Sequence, residues 1–500
     1  MVYLRVMKTL SLLLNSILIL HIVASAETRQ ATGVKVGEVS DTSAIVWVRL
    51  TENSERNSDG VVVKGRPESK GPDPLPEGTQ VQDLEGSCPG APGSVRVRYM
   101  SHPRRTYPER FSKNADLDFP FETQWVEVSA SNDFTHPFHL KDLNPNDLYL
   151  YQVETKGKDE SDAHGFIRGN FRTAPKTNES TAVTFTVITG QMYNDTDRPD
   201  GFHIYESMGK LNPQFIVPTG DTVYYDSEKP RAVTVELARY HWHRMYSYRT
   251  LIDFHLKVPG YWIKDDHDTL SNDCWPTMNP EFMLPLTFED GQRLFREQVP
   301  MGEKTFRTYR WGKHVQIWLP EGRDFRSAND APDGPEKTIW GEEQKRWLFK
   351  SIQESDADWK ILASATPIVG PDRGGKADNH ANDAFATEGN EVRNWIAENC
   401  PDNLFVVCGD RHWQYESIDP KTKVHEFSCG PASDAHAGGI PKDSSSEYEW
   451  YRVEGGFLSV AVAPMDKGSE IAFRHHDVYG NVVHEFTKSN ESIASTQSTK

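Results

Sequence analysis

The sequence predicts two successive folds, a β-sandwich and then a layered α/β domain. Three observations predict it. The chain has 500 residues, more than one ordinary hydrophobic core holds. Up to about residue 176 its apolar residues fall in short runs broken by Gly, Pro, Asn and Asp, the punctuation of a sandwich. Beyond residue 180 strand-like apolar runs alternate with longer amphipathic segments, the pattern of an α/β layer structure.

Residues 1–26 come first and read as a secretory signal. Arg5 and Lys8 supply a positive start, Leu10 to Val23 is mostly apolar, and Ala24-Ser25-Ala26 fits the small-x-small cleavage pattern. An uncleaved membrane anchor is the alternative; no later apolar run is long enough to span a bilayer. The sandwich is placed at 31–176, with strands over Val34 to Val39, Ser43 to Leu50, Val95 to Tyr99, Gln124 to Ser129, Leu148 to Thr155 and Gly165 to Thr173. Trp47 and the Leu143-Asn144-Pro145 turn suit such a core, and the Pro-, Gly- and acid-rich stretch Pro67 to Gly93 reads as a surface insertion.

The α/β domain is placed at 180–486. Its expected strands are Val183 to Thr189, Phe215 to Pro218, Val258 to Ile263, Val315 to Leu319, Trp359 to Ala363 and Leu404 to Cys408. Helices are expected over Gly201 to Leu211, Val233 to Asp253, Glu342 to Glu354 and Glu391 to Asn399, with antiparallel strands from Gly456 to Phe486 turning near Gly480. Residues 487–500 are polar and read as a disordered tail.

Composition narrows the function. Hydrophobic residues make up 37% and charged residues 26%, which excludes wholesale disorder. The formal net charge is −18 and no Lys/Arg stripe stands out, so no nucleic-acid platform is evident. An acidic protein still binds phosphate where metal ions supply the positive charge. Five cysteines at irregular spacings, without a CxxC pair, make neither a disulfide scaffold nor a structural zinc site.

Polar clusters sit just past three expected strand ends. Phe215 to Pro218 leads into Gly220-Asp221-Thr222-Val223-Tyr224, Val258 to Ile263 into Asp265-Asp266-His267-Asp268, and Leu404 to Cys408 into Gly409-Asp410-Arg411-His412. The carboxyl ends of strands form the ligand crevice of open α/β sheets, so the three clusters are expected to converge. Carboxylates and imidazoles that close together repel one another unless cations neutralise them. Hard oxygen donors suit calcium, magnesium, manganese or ferric iron, and imidazole adds zinc. Capping or loop carboxylates are the alternative for any one cluster. His267 is the natural candidate to protonate a leaving group, whereas His203, His241, His243 and His255 lie on or beside expected helices and read as packing or surface residues.

These motifs, with Asn272-Asp273, Glu321 to Ser327, Lys337 to Gly341, Gln344, Trp347-Leu348 and Ser364 to Pro367, resemble the PhoD-like alkaline phosphatase and phosphodiesterase family of the calcineurin-like metallophosphoesterases. The resemblance covers most of residues 30–486. It implies an Ig- or fibronectin-like sandwich before a calcineurin-like domain, and two or more metal ions, with iron and/or calcium favoured and zinc or manganese open. It implies that Asp221 bridges the metals, that Tyr224, Asp266, Asp410 and His412 are further ligands, and that His267 stands by the leaving group. Asn272 would support a metal or contact a phosphate oxygen; Arg323 would hold substrate or form a buried ion pair. The glycine-rich loop from Gly370 to Asp383 would form a substrate wall, with Arg373, Lys376 or His380 meeting the phosphate, or else a solvated connection. His436, in Gly430 to His436, is a similar candidate.

One departure matters. The family commonly places a metal-binding cysteine after the first catalytic strand, where this chain reads Ile188-Thr189-Gly190-Gln191-Met192. Gly190 has no side chain to offer, which leaves Gln191, Asn194, Asp195 or water to complete the shell and leaves the metal identity open. The expected function is an exported, metal-dependent phosphoesterase, periplasmic or extracellular, that attacks phosphomonoesters or phosphodiesters with a metal-activated water. The alternatives are a metal-dependent hydrolase of another oxyanion ester and a degenerate, non-catalytic protein binding a surface polymer. Substrate and oligomeric state are not set by the sequence.

Overall fold

In β1 (Lys35–Gly37) and β2 (Ala44–Arg49) every residue is buried and all side chains but Lys35 and Arg49 are apolar, the mark of strands covered on both faces. In β3 (Gly93–Ser101), by contrast, buried Val95 and Val97 alternate with half-exposed Arg96 and Arg98, so one face meets the core and the other meets solvent. The chain continues through β4 (Phe121–Glu122), β5 (Val126–Val128), β6 (Thr135–Leu140), β7 (Leu148–Gly157) and β8 (Gly165–Arg172). Strands β1-β2-β6 make one sheet and β4-β3-β7-β8 another, with β5 also paired to β3. Val46, Val48, Val95, Val97, Tyr151 and Phe171 from both sheets share one core. The structure is a computed structural model that describes residues 29–68, 70–102, 117–373, 375–440 and 448–490; the expected signal at 1–26 lies outside them. Among the described residues no helix is long and apolar enough to cross a membrane.

The second part begins with a parallel pair, β9 (Val183–Ile188) and β10 (Phe215–Pro218), joined by helix α1 (His203–Lys210). Helices α2 (Val235–Tyr246), α3 (Arg249–His255) and α4 (Phe288–Gln298) follow, then the hairpin β11 (Arg307–Trp311) and β12 (Val315–Leu319). Next come α5 (Glu342–Gln353), β13 (Trp359–Ser364), α6 (Ala386–Asn399) and β14 (Leu404–Cys408). The chain closes with β15 (Gln414–Ile418), β16 (His425–Cys429), β17 (Trp450–Arg452), β18 (Phe457–Pro464), β19 (Ser469–His476) and β20 (Val482–Asn490).

These strands form two sheets, β10-β9-β18-β19-β20 and β11-β12-β13-β14-β16-β15-β17. Phe185, Val217, Phe473, Ile361, Phe405 and Phe427 pack between them, with the Phe427 and Phe473 rings stacked at 4.1 Å. Helices α1 to α4 cover the first sheet through Ile188 and Ile216, and α5 and α6 cover the second through Leu362 and Val406. The result is an α/β/β/α layering whose inter-sheet core is continuous with that of the N-terminal sheets.

Several expectations need correction. Val258 to Ile263 is not a continuous ladder strand; it meets β10 through isolated parallel bridges at Gly260 and Ile263. It is a stitch: Gly260 N–H bonds Val36 O at 2.8 Å and Tyr261 N–H bonds Ile216 O at 2.9 Å, so the segment ties β1 to β10. The single helix expected over Val233 to Asp253 is two: Ser247 still bonds its N–H to His243 O as the last turn of α2, and Tyr248 then turns extended, ψ 136°, before α3 starts. Strand β20 runs to Asn490, so residues 487–490 of the expected tail pair with β19; 491–500 lie outside the described residues. Helix α4 was not expected, although its Thr287/Asp290 capping box is a local signal.

Candidate active site

Three turns deliver the carboxylates. The Thr219-Gly220 step carries β10 into Asp221, the 258–263 segment ends at Asp265-Asp266, and Gly409 carries β14 into Asp410. Gly220 has φ +102°, and a Cβ there would stand 2.4 Å from the Asp265 Cβ, so only glycine lets the first two turns touch. Asp221 and Asp410 themselves adopt left-handed backbone, φ +53° and +60°, which aspartate tolerates better than most residues.

The turns bring two overlapping ligand sets together. Asp221, Asp265 and Asp410 offer oxygens within 4.8 Å of one another, and so do the ligand atoms of Asp221, Asp266 and His267. Asp221 belongs to both sets. Burial and then the Asp266 charge push the Asp221 carboxyl well above the ordinary range; burial does the same to Asp265 in spite of the Arg323 guanidinium. At Asp266 burial is outweighed by Arg323, His267 and Lys376, and the carboxyl is held low. Asp221 Oδ1 and Asp265 Oδ2 are buried without a hydrogen-bond partner. Buried, mutually repelling carboxylates with unused oxygens fit polyvalent cations.

Imidazoles and a phenol line this cluster. His267 Nδ1 lies 2.6 Å from Asp226 Oδ1, and Asp226 Oδ2 accepts from the Asn272 main-chain N–H at 3.0 Å. Burial pulls the His267 imidazole down, but Asp226 and then Asp266 outweigh it and raise it well above the ordinary histidine value. Tyr224 donates to Asp221 Oδ2 at 3.2 Å, and its hydroxyl lies 2.8 Å from His436 Nε2. His436 Nδ1 in turn lies 2.8 Å from Asp195 Oδ2, and the His412 ring packs against His436 at 4.1 Å.

The expected residues therefore divide. Asp221, Tyr224, Asp266, His267 and Asp410 come together. His412 stands one ring outward, in neither ligand set. Asn272 serves through its main chain beside Asp226, with an exposed side chain. Arg373 packs over Trp413, its Cζ 5.9 Å from the ring centroid.

Two expected substrate contacts need correction. Arg323 is fully buried and ion-paired to Asp265 at 2.5 Å, with Nη1 donating to Cys274 O, so it is the buried pair and not a phosphate clamp. His380 is fully buried as well, 3.0 Å from Glu388 and edge-on to Trp340, so the loop turns it inward, away from any substrate.

Sequence reasoning missed the part taken by Asp265 and the Asp195–His436–Tyr224 connection. At Gly190 a Cβ would lie 3.3 Å from His436 Cδ2, so this position faces the same corner. Of the residues expected to fill that corner, Gln191 is bonded to Tyr205, Asn194 to Gly65, and Asp195 to His436. Cys274 offers no thiolate: burial pushes its thiol up to about 12. Among the described residues all five cysteines are buried and unpaired.

Known proteins are similar to this chain over most of its length. A family model described as PhoD-like phosphatase matches residues 185–477. Alkaline phosphatase D of Bacillus subtilis (strain 168) is 22% identical over 371 residues, 63% of this chain and 60% of that protein's length. The alignment thus spans less than two thirds of that relative. A solved structure of PhoD superposes with a TM-score of 0.69 at 16% identity, covering 93% of this chain and 91% of the other. The purple acid phosphatase PPD1 from yellow lupin seeds superposes with a TM-score of 0.59 at 10% identity, covering 92% and 74%. At these identities the two structures speak for the fold.

Proposed function

The chain belongs to the PhoD-like phosphatase family, and from that premise we propose that it is an exported, metal-dependent hydrolase of phosphate esters, its leader the 1–26 segment. The observation that carries the reading is the pair of ligand sets sharing Asp221 at the carboxyl ends of the strands. We read 31–176 as an Ig/fibronectin-like sandwich and 180–486 as the phosphatase domain.

Asp221 would bridge two cations. Asp265 and Asp410 would complete one set and Asp266 the other, Tyr224 would add a hard oxygen donor, and His267, within reach of the Asp266 set, is left to act on the leaving group. Metals held there would neutralise the carboxylates, polarise the phosphoryl oxygens and lower the pKa of an attacking water. Iron and calcium suit the oxygen-rich set; the imidazoles leave zinc and manganese open.

The chain's own residues do the rest. Asp226 fixes His267 by its Nδ1, which leaves Nε2 to give a proton to the departing alkoxide. Arg323, held by Asp265, keeps the acidic turns together without touching substrate. Both monoesters and diesters fit this arrangement.

The test is hydrolysis of p-nitrophenyl phosphate and its bis-ester by the full chain, after chelation and after adding back calcium, iron, zinc or manganese singly and in pairs. Metal-restored turnover supports the reading, and the monoester-to-diester ratio ranks the substrates. Folded protein without turnover under any metal pair overturns it.

A further inference from the structure

The stretch between β2 and β3 does more than decorate the surface, because part of it is bonded onto the loops that carry the site. Gly65 donates to Asn194 Oδ1 at 3.0 Å and accepts from Asn194 Nδ2 at 3.1 Å and from Lys229 N–H at 2.9 Å. Six residues on, Gly71 O accepts from Arg231 Nη1 at 2.6 Å, and Asp73 Oδ2 accepts from Arg231 N–H at 2.9 Å. One anchor is the 193–195 turn, whose Asp195 holds His436. The other is the loop that starts at Tyr224 and carries Asp226.

Arg66 stands between these anchors. Its side chain is 64% exposed, and its guanidinium lies 3.9 Å from Asp195 Oδ2, the oxygen that His436 Nδ1 meets at 2.8 Å. Among the described residues its side chain makes one hydrogen bond, a weak one to the Met192 sulfur at 3.4 Å. Two other arginines near the site, Arg323 and Arg411, are fully buried and closed into ion pairs of 2.5 Å with Asp265 and Asp410, and a third, Arg373, is packed over Trp413. Arg66 therefore has a backbone fixed at the rim and donors left to solvent.

Resting on the phosphoesterase reading, we propose that Arg66 forms a second anion subsite, which selects phosphate esters bearing another phosphate beyond the scissile one. A guanidinium presents paired N–H donors that match phosphate oxygens, a geometry lysine lacks. The need is physical: a chain of net charge −18 repels anionic substrates at long range, and a cation anchored at the rim offsets this where the substrate enters. The N-terminal part of the chain thereby takes part in specificity.

Propane-1,3-diol monophosphate and bisphosphate, which differ only in the second phosphate, test this with the metal-loaded full chain. Arg66→Ala should raise KM for the bisphosphate about tenfold, the worth of one charge-assisted hydrogen bond, and for the monophosphate by much less. Arg66→Lys should fall between wild type and Arg66→Ala. Equal changes for both substrates, or none, overturn the proposal. If neither compound is hydrolysed, calorimetric binding of the bisphosphate decides, and unchanged affinity in Arg66→Ala overturns the subsite; the phosphoesterase reading itself fails only if p-nitrophenyl phosphate and its bis-ester are also left intact by the same metal-loaded protein.

Discussion

His267 and Asp226 are joined by a 2.6 Å contact between Nδ1 and Oδ1, and the second oxygen of Asp226 is taken by the Asn272 main chain, so the carboxylate cannot turn away. The pair fixes both the tautomer and the plane of the imidazole. Asp226→Asn should lower kcat by about 10–100-fold, the usual cost of losing a histidine's orienting partner. Metal content, measured on the same preparation, should stay near wild type because Asp226 is in neither ligand set and the reading assigns His267 to proton donation and not to the metals. Loss of metal together with activity would make Asp226 a support of the metal cluster instead.

Gly220 is the second test, since its left-handed φ of +102° and the 2.4 Å approach to Asp265 leave no room for a side chain. Gly220→Ala should cost more than the ~1–3 kcal/mol of the backbone term alone. It should also part Asp221 from Asp265. A fall in the urea midpoint with a fall in metal stoichiometry is expected; unchanged metal binding would show that the turns move independently.

Arg323→Met separates a buried ion pair from a substrate contact. Both Arg323 and Asp265 are fully buried, so the variant strands a carboxylate, at a cost of about 3–5 kcal/mol in chelated protein. Added calcium should return part of that stability. A near-wild-type unfolding curve with a raised KM would restore the substrate role.

Much of this was legible because the chemistry is local. Asp221, Asp266, His267 and Asp410 each follow an apolar run, and strand ends are where α/β sheets place ligands. Asp265 was not separable from Asp266, as adjacent residues on an irregular turn have no periodicity to say which faces inward. His436 could be noticed as a loop histidine, but its partners Tyr224 and Asp195 lie 212 and 241 positions away, beyond any local pattern. Loop composition misled at His380: a Gly- and Asp-rich segment reads as solvated, whereas Glu388 and Trp340 bury that imidazole. The 258–263 run reads as a strand because its apolar content is strand-like, and it does pair with β10, but only at the isolated bridges of Gly260 and Ile263.

His255 sets a pH dependence that is independent of the metal cluster. It is boxed by the Tyr205, Tyr246, Phe254 and Trp262 rings, and burial, helped by the Lys35 charge, pulls its imidazole down to about 3. Above the ordinary histidine value neither the folded nor the unfolded chain is protonated there, and the box's contribution is complete. As pH falls below about 6.5 the unfolded chain takes up a proton that the folded one refuses, so stability drops by ~1.4 kcal/mol per pH unit until the folded value is reached. In chelated protein, His255→Phe should remove this slope. Urea unfolding at pH 6.5 and pH 5 should therefore show wild type losing about 2 kcal/mol more than the variant. Equal losses would mean that the imidazole accepts its proton inside the fold and that the aromatic box does not exclude the charged form.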